Sequence, residues 1–165
     1  MIDLRRPAQL TYGEGLIAEE TAGLWEPWMR QADQILEDEQ LIQAVHEALL
    51  KRRPKSRIRG RRGYPSEIVL RMLLLKHIRN WSFGELEREV RPNLVYREFT
   101  RIGSGKVPDA KALGRQAQAL DAKVVQQIHR RVVELAVENK VVQGRKMRVD
   151  TTVDVATLCY TSLSL

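Results

Sequence analysis

One cysteine, Cys159, stands in a chain of 165 residues. An internal disulfide is therefore excluded, and no thiolate cluster is available for a metal. His46 and His129 have no cysteine or second histidine at helical spacing, so both read as surface or boundary residues rather than ligands. No apolar run approaches the roughly 18 to 20 residues that a bilayer span needs, so no membrane partner is expected. The opening residues, MIDLRRPAQLTYGEG, lack the apolar stretch of a secretory signal, which makes a cytoplasmic protein the expectation. Internal repeats are absent, and the one biased segment is basic.

What is present is enough apolar residue for a core, 43% of the chain, and a strongly uneven charge. Residues 1–50 hold ten acids and three bases, a net of −7, whereas residues 51–165 hold 25 bases and eleven acids, a net of +14. Such asymmetry suggests a polyanionic partner. Its focus is residues 51–62, KRRPKSRIRGRR, with eight bases and no acid. Pro54 and Gly60 make this an arm or loop rather than a helix. Lys51, Arg52, Arg53, Lys55, Arg57, Arg59, Arg61 and Arg62 are candidates for DNA phosphates, where each neutralised charge releases a counterion and adds affinity without sequence choice. A solvated linker is the plainer reading of the same run.

The helical pattern is densest just after the arm. Pro65 suits the first position of a helix that runs to about residue 79, with Glu67 near its third position. Ile68, Val69, Met72, Leu73, Leu75 and Ile78 cover more than one face, so burial on several sides is predicted. Ser82 with Glu85 makes a capping box that starts a second helix at Phe83, ended near Val90 by Pro92. Asn93 caps a third over residues 94–101, closed by Gly103. Three short helices with tight joints suit a helix-turn-helix arrangement or a bundle that only packs. Upstream, residues 33–50 read as one amphipathic acidic helix or a pair of turns, with Ile35, Leu41, Ile42, Val45 and Leu49 on one side. Its acidic face is a candidate to dock on the basic arm. Trp25 and Trp28 pack on the core or hold a partner.

Downstream, Asp109 caps a helix over residues 110–120, with Lys111 and Arg115 on one face, and Asp121 caps another over residues 122–139. The period then changes. KMRVDTTVDV, residues 146–155, alternates apolar and polar side chains and is rich in β-branched residues, a strand signal. A second strand near residues 158–160 would make a hairpin.

YPSEIVLRMLLLKHIRNWSFGELEREVR, YREFTRIG, KVPDAKAL and GRKMRVDTTV occur in this order between residues 64 and 153. In these words the chain resembles the N-terminal half of bacterial insertion-sequence transposases of the DDE type, insertion-sequence-five group. The resemblance spans roughly residues 41–153. It implies a mainly α, helical DNA-binding bundle with helix-turn-helix-like elements. It also implies a short C-terminal strand or hairpin as the start of a ribonuclease H-like catalytic domain. It aligns Asp150 with the first of three catalytic acids, which together hold Mg²⁺. Two such ions would activate the attacking oxygen and stabilise the leaving one. The chain departs from the pattern after Val153. Val155 stands where the family usually has a Glu, and the tail VATLCYTSLSL drifts from the family run.

The expected organisation is therefore an N-terminal segment with an acidic helix (1–50), a basic arm (51–63), a helical DNA-binding domain (64–143) and a truncated start of the catalytic domain (144–165). The expected function is recognition of an insertion sequence's terminal inverted repeats. Catalysis by this chain alone is not expected, since Asp150 is the single acid of the triad present and binds Mg²⁺ poorly by itself. Double-stranded DNA is the expected partner, with a full-length transposase or a second copy of the chain as others. Arg guanidinium groups read guanine in the major groove. Base-reading candidates are Arg88, Arg97, Arg101, Lys111 and Arg115, on a helix within residues 83–120 that the sequence leaves open. The alternative is a helical protein-interaction module that holds a partner through Trp25, Trp28 and the acidic helix, without DNA.

Overall fold

The computed structural model describes residues 2–6, 15, 19–52 and 63–138. Helix α1 (Pro27–Leu36) begins at a proline, whose missing N–H falls where a helix has no internal partner for it. Glu37 donates its N–H back to the Asp33 carbonyl at 3.1 Å, and the chain then breaks. Asp38 Oδ1 accepts from the N–H of Leu41 at 3.1 Å and so starts α2 (Glu39–Arg52). The stretch over residues 33–50, expected as one acidic helix or a pair of turns, is thus parts of two helices. The first starts six residues earlier, and Asp38 restarts the second rather than extending the first. Lys51 and Arg52 form the last turn of α2, so the basic run begins in helix; its remaining residues lie outside the described ones.

Helix α3 (Ser66–Arg79) is the centre of the fold. Nine of its fourteen residues are buried, so neighbours must enclose it on several sides. Pro65 sits at the capping position, one residue before the place expected. The first two N–H groups of α3 have no helical acceptor. They donate to the carbonyls of Asp3 and Leu4 at 3.0 and 3.1 Å, which ties the amino-terminal segment across the helix start. Asn80 ends α3 in the left-handed region, at φ 53°. The capping box of α4 (Phe83–Val90) has both of its bonds, Ser82 to the N–H of Glu85 and Glu85 to the N–H of Ser82.

Asn93 caps α5 (Leu94–Phe99) through the N–H of Tyr96. This helix stops two residues short of the expected end. Thr100 Oγ1 bonds back to the Tyr96 carbonyl at 2.7 Å, and Arg101 turns to φ 59°. Asp109 caps α6 (Ala110–Ala117), three residues shorter than expected, and Asp121 caps α7 (Ala122–Glu138).

Helix α2 packs along α3 and α7 covers another side of α2, while α4 and α6 pack on each other and on α3. One core runs through Met29, Val45, Met72, Leu86, Phe99 and Leu113, so the acidic helices and those after the arm share it. Trp25 and Trp28 meet Phe99 edge-on, with ring centroids 5.9 and 5.3 Å apart, a favourable aromatic geometry. These tryptophans pack on the core. No strand occurs among the described residues, and the strand expected over residues 146–155 lies outside them. No helix among the described residues is long and apolar enough to cross a membrane.

Candidate nucleic-acid interface

The arginines of this chain divide by what surrounds them. Arg71, in the middle of α3, is completely buried. A guanidinium cannot shed its proton, so burial demands acceptors around it. Four are present: Asp33 Oδ1 at 2.5 Å, Glu37 Oε1 at 3.2 Å, Glu67 Oε1 at 3.3 Å and the Phe99 carbonyl at 3.2 Å. Arg101 joins the same carboxylates, at 3.0 Å from both Asp33 and Glu37. Arg5 completes the cluster with bonds of 2.7 Å to the side chain and the carbonyl of Glu37. The hydrogen bond from Arg5, aided by Arg71 and Arg101, holds the Glu37 carboxyl below the usual carboxylate range.

Asp38 is held low in the same way by Arg131, whose guanidinium donates to it at 2.7 Å; the pair raises Arg131 further. Glu26 is paired with Arg79. Asp33, Glu37 and Asp38, with Glu26 before α1, are therefore paired with arginines of the described fold; the docking of the acidic face on the arm involves residues outside the described ones.

Two sequence-predicted base readers have structural tasks. Arg101 belongs to the buried cluster. Arg97 spends its donors on three carbonyls, of Gly103 at 2.8 Å, Arg91 at 3.1 Å and Gly105 at 2.7 Å. It thereby ties the end of α4 to the loop that leads into α6. Arg88 is exposed, but its Nε meets Glu89 at 3.1 Å, and Arg91 meets Glu87 at 2.5 Å. The exposed side of α4 thus carries cations matched by neighbouring acids.

The stretch from Gly103 to the start of α7 is different. It contains four cations, Lys106, Lys111, Arg115 and Lys123, and two acids, Asp109 and Asp121. Both acids are used as helix caps, Asp109 on the N–H of Ala112 at 2.7 Å and Asp121 on the N–H of Val124 at 2.9 Å. All four cations are exposed, and among the described residues none has an ion pair. Lys106 and Lys123 were not singled out by sequence; the signal for them is that their neighbouring acids stand at capping positions.

Lys51 and Arg52 are exposed at the end of α2. Arg53, Lys55, Arg57, Arg59, Arg61, Arg62 and Asp150 lie outside the described residues. Among the described residues no group of three His, Cys, Asp or Glu side chains is placed to hold a metal ion. A family model described as a transposase domain (DUF772) matches residues 27–119. No curated protein and no solved structure matches the chain.

Proposed function

The chain belongs to the transposase domain family (DUF772), and from that premise we propose that it binds double-stranded DNA at the terminal inverted repeats of an insertion sequence. The observation that carries this reading is the separation of charge. Asp33 of α1 and Glu37 and Asp38 of the α1–α2 joint are paired with Arg5, Arg71, Arg101 and Arg131. Residues 51–62 contain no acid, and Lys51, Arg52, Lys106, Lys111, Arg115 and Lys123 are exposed without an ion pair among the described residues. Uncompensated cations on a folded body attract a polyanion and release its counterions. The tight succession of α3, α4 and α5 suits the helix-turn-helix-like arrangement implied by the DDE-type, insertion-sequence-five resemblance.

Asp150 supplies one carboxylate of the three that such a transposase uses around Mg²⁺. A longer transposase or a second copy of the chain would share its DNA ends.

The test is fluorescence anisotropy of the full chain on a duplex carrying the repeat that flanks its own coding sequence, against a scrambled duplex, with and without Mg²⁺. Tighter binding to the repeat is the expected result. Equal binding to both would reduce the function to non-specific phosphate contact. Absence of binding would overturn the DNA reading in favour of a protein-interaction module.

A further inference from the structure

We infer that α6 is the element that reads bases, through Lys111 and Arg115, with Gln118 continuing the same stripe. The inference rests on the DNA-binding reading and goes beyond it by choosing one helix among those between residues 83 and 120.

The choice follows from what each helix has to offer. Helix α5 is six residues long, its Arg97 is taken by three carbonyls, and its most exposed side chain is Leu94. A major-groove helix needs long charged donors, and the one arginine of α5 is committed. Helix α4 presents Glu85, Glu87 and Glu89 beside Arg88 and Arg91, and both arginines are paired. Bringing that face to phosphates would set carboxylates against like charge.

Helix α6 has the opposite character. Lys111, Arg115 and Gln118 are exposed and spaced at i, i+4 and i+7, which puts them in one row along the helix. Lys and Arg reach guanine O6 and N7, and Gln pairs with adenine. Ala112, beside this row, is small and leaves the long side chains clear to enter a groove about 12 Å wide.

The opposite face of α6 fixes it in place. Leu113 is completely buried, and Gly114 lies on the Phe83 ring, where an added Cβ would sit 3.8 Å from the nearest ring carbon. The N–H of Ala110 donates to Glu87 at 2.7 Å, and Arg97 anchors the incoming loop. A reading helix must be held rigidly to discriminate between bases, and α6 is held at its start, its middle and its approach.

The test is selection of the full chain on a pool of random-sequence duplexes, with the enriched sequences read out, alongside total binding to the pool at low salt. Wild type is expected to enrich a motif of a few base pairs. The double variant Lys111→Ala, Arg115→Ala is expected to lose that enrichment while retaining most low-salt binding through the basic arm. Arg115→Lys, which keeps the charge but not the two-pronged donor, is expected to relax one position of the motif. Arg88→Ala should leave the motif unchanged. An unchanged motif in the double variant would overturn the assignment of α6 while leaving DNA binding intact. Binding by wild type without any motif would overturn it as well. No binding by wild type at all would overturn the DNA-binding reading itself, and α6 with it. Circular dichroism confirms that the variants fold, as expected for exposed side chains without partners among the described residues.

Discussion

At the scale of single residues, the identity of an arginine says little about its task. Arg71, Arg97, Arg101 and Arg115 are one residue type within 45 positions, and the structure gives them a core ion cluster, a loop clamp, a second place in that cluster and an open surface. The difference was not legible in the sequence, because the partners are remote. Asp33 is 38 positions from Arg71 and 68 from Arg101. Local spacing shows the i,i+4 pair of Glu67 and Arg71 but not the three other acceptors. Removing Arg71 would leave Asp33, Glu37 and Glu67 with only Arg101 and Arg5 nearby. Breaking a buried ion pair from one side costs about 3–5 kcal/mol. Arg71→Ala is therefore expected to lose stability on that order in urea unfolding. A loss below about 1 kcal/mol would mean that the cluster contributes little beyond its packing.

At the scale of elements, the sequence was a better guide wherever the signal lay within a few residues. Ser82 with Glu85, Asn93, Asp109 and Asp121 all cap the helices assigned to them, because a capping bond spans three residues and needs no tertiary information. Helix ends were harder to read. The α5 boundary depends on Arg101 turning toward Asp33 and Glu37, which is decided by the fold and not by the local run of residues. The break at Asp38 was hidden because 33–50 keeps a plausible amphipathic pattern through it.

Gly114 gives a quantitative check on how α6 seats against α4. Glycine inside a helix costs roughly 0.5–1 kcal/mol relative to alanine. The alanine methyl would meet Phe83 at 3.8 Å, an ordinary contact. Gly114→Ala is thus expected to stabilise the chain by about 0.5–1 kcal/mol in thermal or urea unfolding. A destabilised variant would show that α6 sits closer to α4 than this spacing.

At the scale of the whole molecule, charge does two jobs. Asp33, Glu37 and Asp38 close the fold through their arginines, and Lys51, Arg52 and the cations of residues 103–123 are exposed. The overall asymmetry was legible from counting. That Asp33, Glu37 and Asp38 are paired with remote arginines was not, since counting does not reveal which charges are paired.

These pairs make stability sensitive to acid. Glu37 and Asp38 are held below their usual range by Arg5 and Arg131, so each binds its proton less readily folded than unfolded. Their contribution is complete above the unfolded value of about 4 and is lost as pH falls through the lower folded values. Thermal unfolding should change little between pH 7 and about 5.5 and drop steeply below about 4. Asp38→Asn should lower stability at neutral pH and reduce the acid-induced drop.

The role of the cations is the central claim, and the salt dependence of DNA binding tests it most directly. The measurement is the affinity of the full chain for a random-sequence duplex across a salt series, plotted as log K against log salt. Each neutralised phosphate contributes a slope of about −0.9, so engagement of the arm gives roughly −5 or steeper. That slope, shallower by several units when the arm cations Arg57, Arg59, Arg61 and Arg62 are replaced by Gln, is the expected result. A slope near zero, or no binding at about 50 mM salt, would contradict the account.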